Sequence, residues 1–218
     1  MKPLQLHNLH RASNALHRTF GDANYCSVNG AGCTAKPRCM FVFMNPTAAN
    51  ISARKTWGSF RAPWLGTKTV WKLFHAIGGI SDQTYRAIQD KRAAEWTPAF
   101  ARQIYRELAK NKFYVTNLAK CTQQDARPLP NNVFKRYMPV FEQELLNVQP
   151  RTIVTFGNQV SSIILEKQTR ASDYRADACE LIEIRGKGFC VYPTYYPVGQ
   201  GMRNMPKAIA RIKRIVAA

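Results

Sequence analysis

"RCMFVFMNPTAAN" (residues 38–50) carries an unbroken apolar run into Asn45-Pro46 and then into small, mostly polar residues. A continuous apolar run, as opposed to an alternating one, marks a strand covered on both faces. Pro46 excludes the helical region for the residue before it, so the chain leaves this strand extended and turns with Asn45 at the rim. Two roles are open to that amide. It can hold a water by its oxygen while its nitrogen fixes another group, or it can cap its own backbone in an Asx-type turn.

The same pattern of a short apolar strand ending in polar residues recurs at "KFYVTNLAK" (112–120), "RTIVTFGN" (151–158) and "GFCVYPTYYP" (188–197). Between these strands lie stretches with helical spacing: "TKTVWKLFHAIG", a long basic segment over 81–111 that Pro98 splits, "NNVFKRYMPVFEQELLNVQ", "QVSSIILEK" and the C-terminal "MPKAIARIKRIVAA". Ser81 is placed to cap the 81–111 segment. Alternating strands and helices predict an α/β chain of three layers, α/β/α, around a central, largely parallel four-stranded sheet. We expect one domain over residues 1–218, with 81–111 as a basic helical insertion. In open sheets of this kind ligands bind beyond the C-terminal ends of the strands. That rule singles out Asn45-Pro46, Asn117 to Cys121, Gly157-Asn158 and Tyr195 to Pro197.

Charge narrows the class of partner. The 218 residues hold 32 Lys and Arg against 13 Asp and Glu, a net charge of +19. Such an excess favours a polyanion, because each cation seated on a phosphate releases a condensed counterion. No stretch approaches the roughly 18 continuous apolar residues of a membrane span, and the N-terminal segment lacks the apolar centre of a secretory signal. A cytoplasmic protein without membrane contact is expected, its six cysteines thiols without disulfides. His7, His10 and His17 share one helical face and read as solvated.

Several side chains at the strand ends have chemistry suited to a nucleotide. Trp64, within "APWLGTKTVWKLF", is either a stacking surface for a base, worth about 1–3 kcal/mol, or an anchor for its loop; Trp57 and Trp71 read as anchors. Asn117 can bond a pyrimidine edge, and Lys120 and Arg127 suit phosphates. In "YPTYYPVGQGMRNMP", Gly199 and Gly201 flank Gln200 and permit close approach to a backbone. Met202 can wedge into a base step, and Arg203 can reach a phosphate or the minor groove.

Taken in order, "MFVFMNPTA", "APWLGTKTVWKLF", "VTNLAKCTQQDARPLP", "IVTFGNQVSSIIL" and "PTYYPVGQGMRNMP" resemble the five motifs of the uracil-DNA glycosylase superfamily, most closely its thermophile-type, iron-sulfur branch. The resemblance covers roughly residues 28–80 and 112–215. Met44 stands where that branch has Glu, while Met44-Asn45-Pro46 is similar to the first motif of the single-strand-selective and mismatch-specific branches. There the Asn positions the hydrolytic water. Tyr196 replaces the family's His. Of the four positions expected to ligate the cluster, Arg11, Asn14, Cys121 and Tyr137, only one is cysteine, so no cofactor and no metal is expected.

The resemblance implies a monofunctional DNA glycosylase in base excision repair, acting as a monomer on single- or double-stranded DNA that contains uracil or a related deaminated base. It would flip the base, hydrolyse its N-glycosidic bond and leave an abasic site. Asn45 and Tyr196 would be catalytic; Met44, Pro46, Trp64 and Asn117 would hold the base; Lys120, Arg127, Gly199, Gln200, Gly201, Met202 and Arg203 would hold the DNA. The departures leave two alternatives, a binding protein without turnover and a glycosylase for another base.

Overall fold

The computed structural model describes residues 6–58, 60–175 and 178–217; the side chains of Leu6, His7 and Gln200 lie outside what is described. The chain runs α1 (Leu6–Phe20), β1 (Ala31–Gly32), β2 (Cys39–Phe43), α2 (Thr69–Ala76), α3 (Asp82–Asp90), α4 (Pro98–Lys110), β3 (Phe113–Asn117), α5 (Asn131–Val148), β4 (Thr152–Phe156), α6 (Asn158–Ile164), β5 (Glu180–Ile184), β6 (Lys187–Thr194) and α7 (Met205–Ala217). The strands form one sheet in the order β1-β3-β2-β4-β6-β5.

The four strands expected from sequence, β2, β3, β4 and β6, are mutually parallel and form the centre of the sheet. Every residue of β2 and β3 is buried, as strands covered on both faces require. The sheet differs from the four-stranded expectation at its edges, where β1 and β5 pair antiparallel with β3 and β6. The β5–β6 hairpin turns through Arg185 (φ 53°) and Gly186 (φ 75°), the pair of left-handed residues that fits the twist of a tight hairpin.

Alternation along β2 sends Phe41 and Phe43 to one face and Met40 and Val42 to the other. The first face meets Trp71, Phe74, Leu108 and Ile212 from α2, α4 and α7. The second meets Phe134, Tyr137, Phe141 and Ile163 from α5 and α6. Phe41 and Phe43 continue into an aromatic ladder: Phe156 stacks on Phe43 at 4.3 Å, and Phe74 and Phe113 meet Phe41 edge-on at 5.4 and 5.3 Å. Such pairs contribute about 0.5–1.5 kcal/mol each beyond area burial.

Residues 81–111 form two capped helices. The Ser81 side chain accepts from the Thr84 N–H, and Thr97 accepts from the Phe100 N–H with Pro98 in the first turn of α4. Pro98 therefore starts a helix, and the split falls at residues 91–97. Both helices bury an apolar stripe, Ile88 on α3 and Ala101, Ile104, Tyr105 and Leu108 on α4, and the Tyr105 hydroxyl donates to the Pro63 carbonyl at 2.6 Å. Arg86, Arg92, Arg106 and Lys110 stay exposed. On α1, His17 departs from the solvated reading. It is buried, with Nδ1 accepting from the Thr122 N–H and Nε2 facing the Tyr25 carbonyl at 2.9 Å. No helix among the described residues is long and apolar enough to cross a membrane.

Candidate active site

A cavity of about 280 Å³ opens where the C-terminal ends of β2 and β3 meet the loop after β6. Asn45, Pro46, Trp64, Asn117, Tyr196 and Gly199 line it, residues up to 154 positions apart in the chain that the parallel sheet brings to one rim. Phe43, the last residue of β2, holds two of these groups from below. Trp64 meets its ring edge-on at 4.9 Å and Tyr196 at 6.4 Å.

Trp64 is held in an unusual conformation. Its φ of 65° lies in the left-handed region, which a bulky residue occupies only when its surroundings enforce it. Here the enforcement is visible: the Trp64 carbonyl accepts from the Thr67 N–H (3.2 Å), the Thr67 hydroxyl (2.7 Å) and the Trp71 indole N–H (3.3 Å). Asn50 ties the same loop to the turn after β2, donating to the Ala62 carbonyl at 2.9 Å while its oxygen caps the Ser52 N–H and hydroxyl. The Trp64 indole N–H is buried without a partner. Trp57 and Trp71 are anchors as expected, Trp71 fully buried and Trp57 donating to the Phe60 carbonyl.

The Asn45 amide makes a local bond with its nitrogen only. Its nitrogen donates to the Pro46 carbonyl at 3.1 Å, a local turn bond, and that bond leaves the oxygen as the group with accepting capacity toward the cavity it lines. Asn117 is 2% exposed, yet no hydrogen bond within the described residues engages its side-chain amide. A buried amide without an internal partner, on a cavity wall, needs one from a ligand or water. Burial pushes the Tyr196 hydroxyl up from 10.0 to about 12, so at neutral pH it is a hydrogen-bond donor.

The structure corrects two sequence expectations, at Lys120 and Met44. Lys120 is no phosphate ligand: it is 2% exposed, and its ammonium is spent on the Glu144 carboxylate at 2.6 Å, the Thr116 hydroxyl and the Asn117 carbonyl. Burial lowers its pKa while Glu144 opposes that shift. Lys120 thus acts beneath the site, gripping the backbone of Asn117. Met44 does not line the cavity. Strand alternation turns it from the Phe43 side to the opposite face, against the cluster of Met40 and Val42. Gly201 is required by the turn itself, since a Cβ there would lie 2.2 Å from the Tyr196 carbonyl oxygen.

The remaining residues spread around the rim. Gly199 reaches the cavity in a left-handed conformation (φ 57°). Met202, 55% exposed, and Arg203, also exposed, stand outside it, and the Gln200 side chain is outside the described residues. Arg127 is exposed and paired with Asp125 at 2.9 Å. Sequence reading missed Thr47, Asn50, Thr67 and Val198 on the cavity wall and the supporting role of Phe43. Their signal was only proximity to the strand ends, which does not say which side chain turns inward.

The positions expected to carry cluster ligands do not fit one. Cys121 is buried, its thiol pushed up by burial, beside the Tyr137 hydroxyl and the Gln123 amide (3.7 Å). Asn14 accepts from the Ser27 hydroxyl, and Arg11 is exposed. A cluster needs four thiolates, and among the described residues no three His, Cys, Asp or Glu side chains converge.

A largely parallel sheet thus carries a cavity walled by amides and aromatic rings at the C-terminal ends of its central strands, on a strongly basic chain. Residues 30–217 match the family model of the uracil DNA glycosylase superfamily, and the chain belongs to that superfamily. No curated protein matches it.

Proposed function

We propose that this protein is a monofunctional DNA glycosylase that releases uracil, or a related deaminated base, from DNA and leaves an abasic site. The observation that carries this reading is the convergence of Asn45, Trp64, Asn117 and Tyr196 on one cavity, joined to membership of the superfamily. Family membership supports action on DNA, and the net charge of +19 suits it.

A glycosidic bond inside a duplex is inaccessible, so the nucleotide must leave the stack, at a cost of a few kcal/mol that is least for mispaired or unpaired bases. In the cavity the Trp64 indole stacks on the base, and the unpartnered Asn117 amide bonds its edge with one donor and one acceptor. As the bond from C1′ to the base nitrogen breaks, the electron pair leaves with the base and the sugar becomes oxocarbenium-like. The neutral Tyr196 hydroxyl donates toward the leaving oxygen, and removal of one such donor typically lowers the rate by about 10²–10³-fold. The Asn45 oxygen accepts a hydrogen bond from a water that adds to C1′.

Amides are poor bases, so the water is oriented here and loses its proton only as the bond to C1′ forms, the proton passing to the departed base anion; rate enhancement rests on positioning and leaving-group stabilisation. The Ala48 N–H is committed to the Gln123 carbonyl and Pro46 has no N–H, which removes two backbone groups of this turn as donors, and Tyr196 is the side-chain donor assigned to the leaving group. The absence of a lysine from residues 40–50 argues against a Schiff base and strand cleavage.

The test is release of base from single- and double-stranded oligonucleotides carrying uracil, hypoxanthine or xanthine, with wild type, Asn45→Ala, Asn117→Ala and Tyr196→Phe. Release by wild type with loss in all three variants is expected. Equal release by all four removes the assigned roles, and tight binding of uracil-containing DNA without release by wild type makes the protein a binding module.

A further inference from the structure

A second concavity, about 710 Å³, runs between α2 and α3 on one side and α7 on the other. Thr69 lines both it and the base cavity, so the two adjoin at that residue. Its floor is apolar, formed by Met205, Pro206, Ile209 and Ala210, and its rims carry Lys68, Lys72 and Lys213. No acidic residue lines it, and α7 has no Asp or Glu at all. Lys72 and Lys213 are exposed, and no ion pair engages either among the described residues.

Two features set the direction of the groove. The exposed Met202 side chain stands at its edge, beside the loop that reaches the base cavity through Gly199. Lys68 and Gln89 bridge α2 to α3 by reciprocal bonds, the Lys68 ammonium to the Gln89 carbonyl and the Gln89 amide to the Lys68 carbonyl, so one wall is braced. A braced wall and paired cationic rims over an apolar floor suit a single strand whose phosphates face the lysines while its sugars and bases lie on aliphatic and aromatic surface, with Tyr85 among the lining residues.

We infer that this groove carries the DNA backbone on one side of the extruded nucleotide, with Lys72 and Lys213 on successive phosphates and Met202 closing the gap at the junction. The inference rests on the proposed function and deepens it: the preferred substrate extends several nucleotides to one side of the target base, and that arm need not be paired. The groove and the cavity meet at Thr69, so the groove serves the arm on that side and the two arms contribute unequally.

The experiment measures dissociation constants for oligonucleotides that carry a stable abasic-site analogue, with one nucleotide on each side, or with six on the 5′ side only or the 3′ side only. Wild type is compared with Lys72→Glu/Lys213→Glu, changes at exposed positions that leave the core untouched. Expected is a gain of tenfold or more on extending one side only in wild type, lost in the variant, with the slope of log Kd against log salt shallower by about 1.4–1.8 for two phosphate contacts. The inference is overturned if both extensions help equally, if the variant gains as much as wild type, or if polyglutamate of equal charge displaces the oligonucleotide at equal or lower concentration. Uracil release by wild type together with any of these outcomes leaves the proposed function standing. The expected length and salt dependence without base release leaves the groove standing and removes the glycosylase reading.

Discussion

The Lys120 ammonium lies 2.6 Å from the Glu144 carboxylate, with side chains 2% and 5% exposed, and the same ammonium also holds the carbonyl of Asn117. Glu144 accepts in addition from the Tyr114 and Thr116 hydroxyls at 2.8 and 2.9 Å, so each ion has partners besides the other. Breaking such a pair strands the remaining charge, which costs about 3–5 kcal/mol. Lys120→Met is expected to lower the unfolding free energy by that amount in urea titration. The salt slope of DNA binding should not change for the folded variant, and a slope reduced by a full contact would return Lys120 to the phosphates.

Asn117→Ala separates function from stability. Its amide has no bond within the described chain, so its loss strands no buried partner and the urea midpoint should move by less than the equivalent of about 1 kcal/mol. Base release at limiting substrate should fall about 10- to 100-fold, as expected for one or two hydrogen bonds lost to a buried base. A large loss of stability with unchanged turnover per folded molecule would assign the side chain to the fold instead.

Thr67→Val removes the hydroxyl that grips the Trp64 carbonyl at 2.7 Å. The expected cost is about 1 kcal/mol of stability. Because Trp64 sits at φ 65° under that restraint, the loss should also relax the indole, read as a red-shifted or less anisotropic tryptophan fluorescence and a higher KM. Unaltered fluorescence and KM would show that the Thr67 N–H and the Trp71 indole suffice.

Gly201→Ala places a methyl group 2.2 Å from the Tyr196 carbonyl oxygen, a contact with backbone that no rotamer relieves. Overpacking of this kind costs about 1–3 kcal/mol. Displacement of the 196–201 turn should carry Tyr196 from its place against Phe43 and reduce kcat more than it raises KM. Wild-type turnover in this variant would show that the turn tolerates the shift.

Alkaline pH should unfold the protein through groups that burial keeps protonated. Burial pushes the Cys39 thiol from 9.0 to about 12 and the Tyr196 hydroxyl from 10.0 to about 12, and holds Tyr105 and Tyr114 well above 10.0. In the unfolded chain these groups lose their protons first, so between pH 9 and 12 the folded state binds more protons. Unfolding free energy therefore falls as pH rises. The stability is fully present below pH 9 and declines from there, beginning with the thiols of Cys39 and Cys121. A urea midpoint that holds level or rises from pH 9 to 11 would contradict this, and Cys39→Ala should delay the decline.

The sequence by itself determined the four parallel strands and the rim at which the site forms, because a strand buried on both faces must read as an unbroken apolar run and must end where polar residues begin. Asn45, Trp64, Asn117 and Tyr196 were legible on that ground, since Asn45, Asn117 and Tyr196 follow an apolar run and Trp64 falls in the loop after the first. Tertiary structure alone decided which side of the rim each neighbour serves. Met44 and Lys120 sit one and three residues from cavity-lining residues, yet the pleat turns one to the far face, and Glu144, 24 positions from Lys120 and on α5, draws the other into the core. The edge strands were also hidden, β1 by being two residues long and β5 by its alternating, half-exposed pattern. Local pattern encodes burial because solvent exclusion acts residue by residue. Pairing between a cation and an anion remote in the chain is settled only when packing brings them together and withdraws water from both.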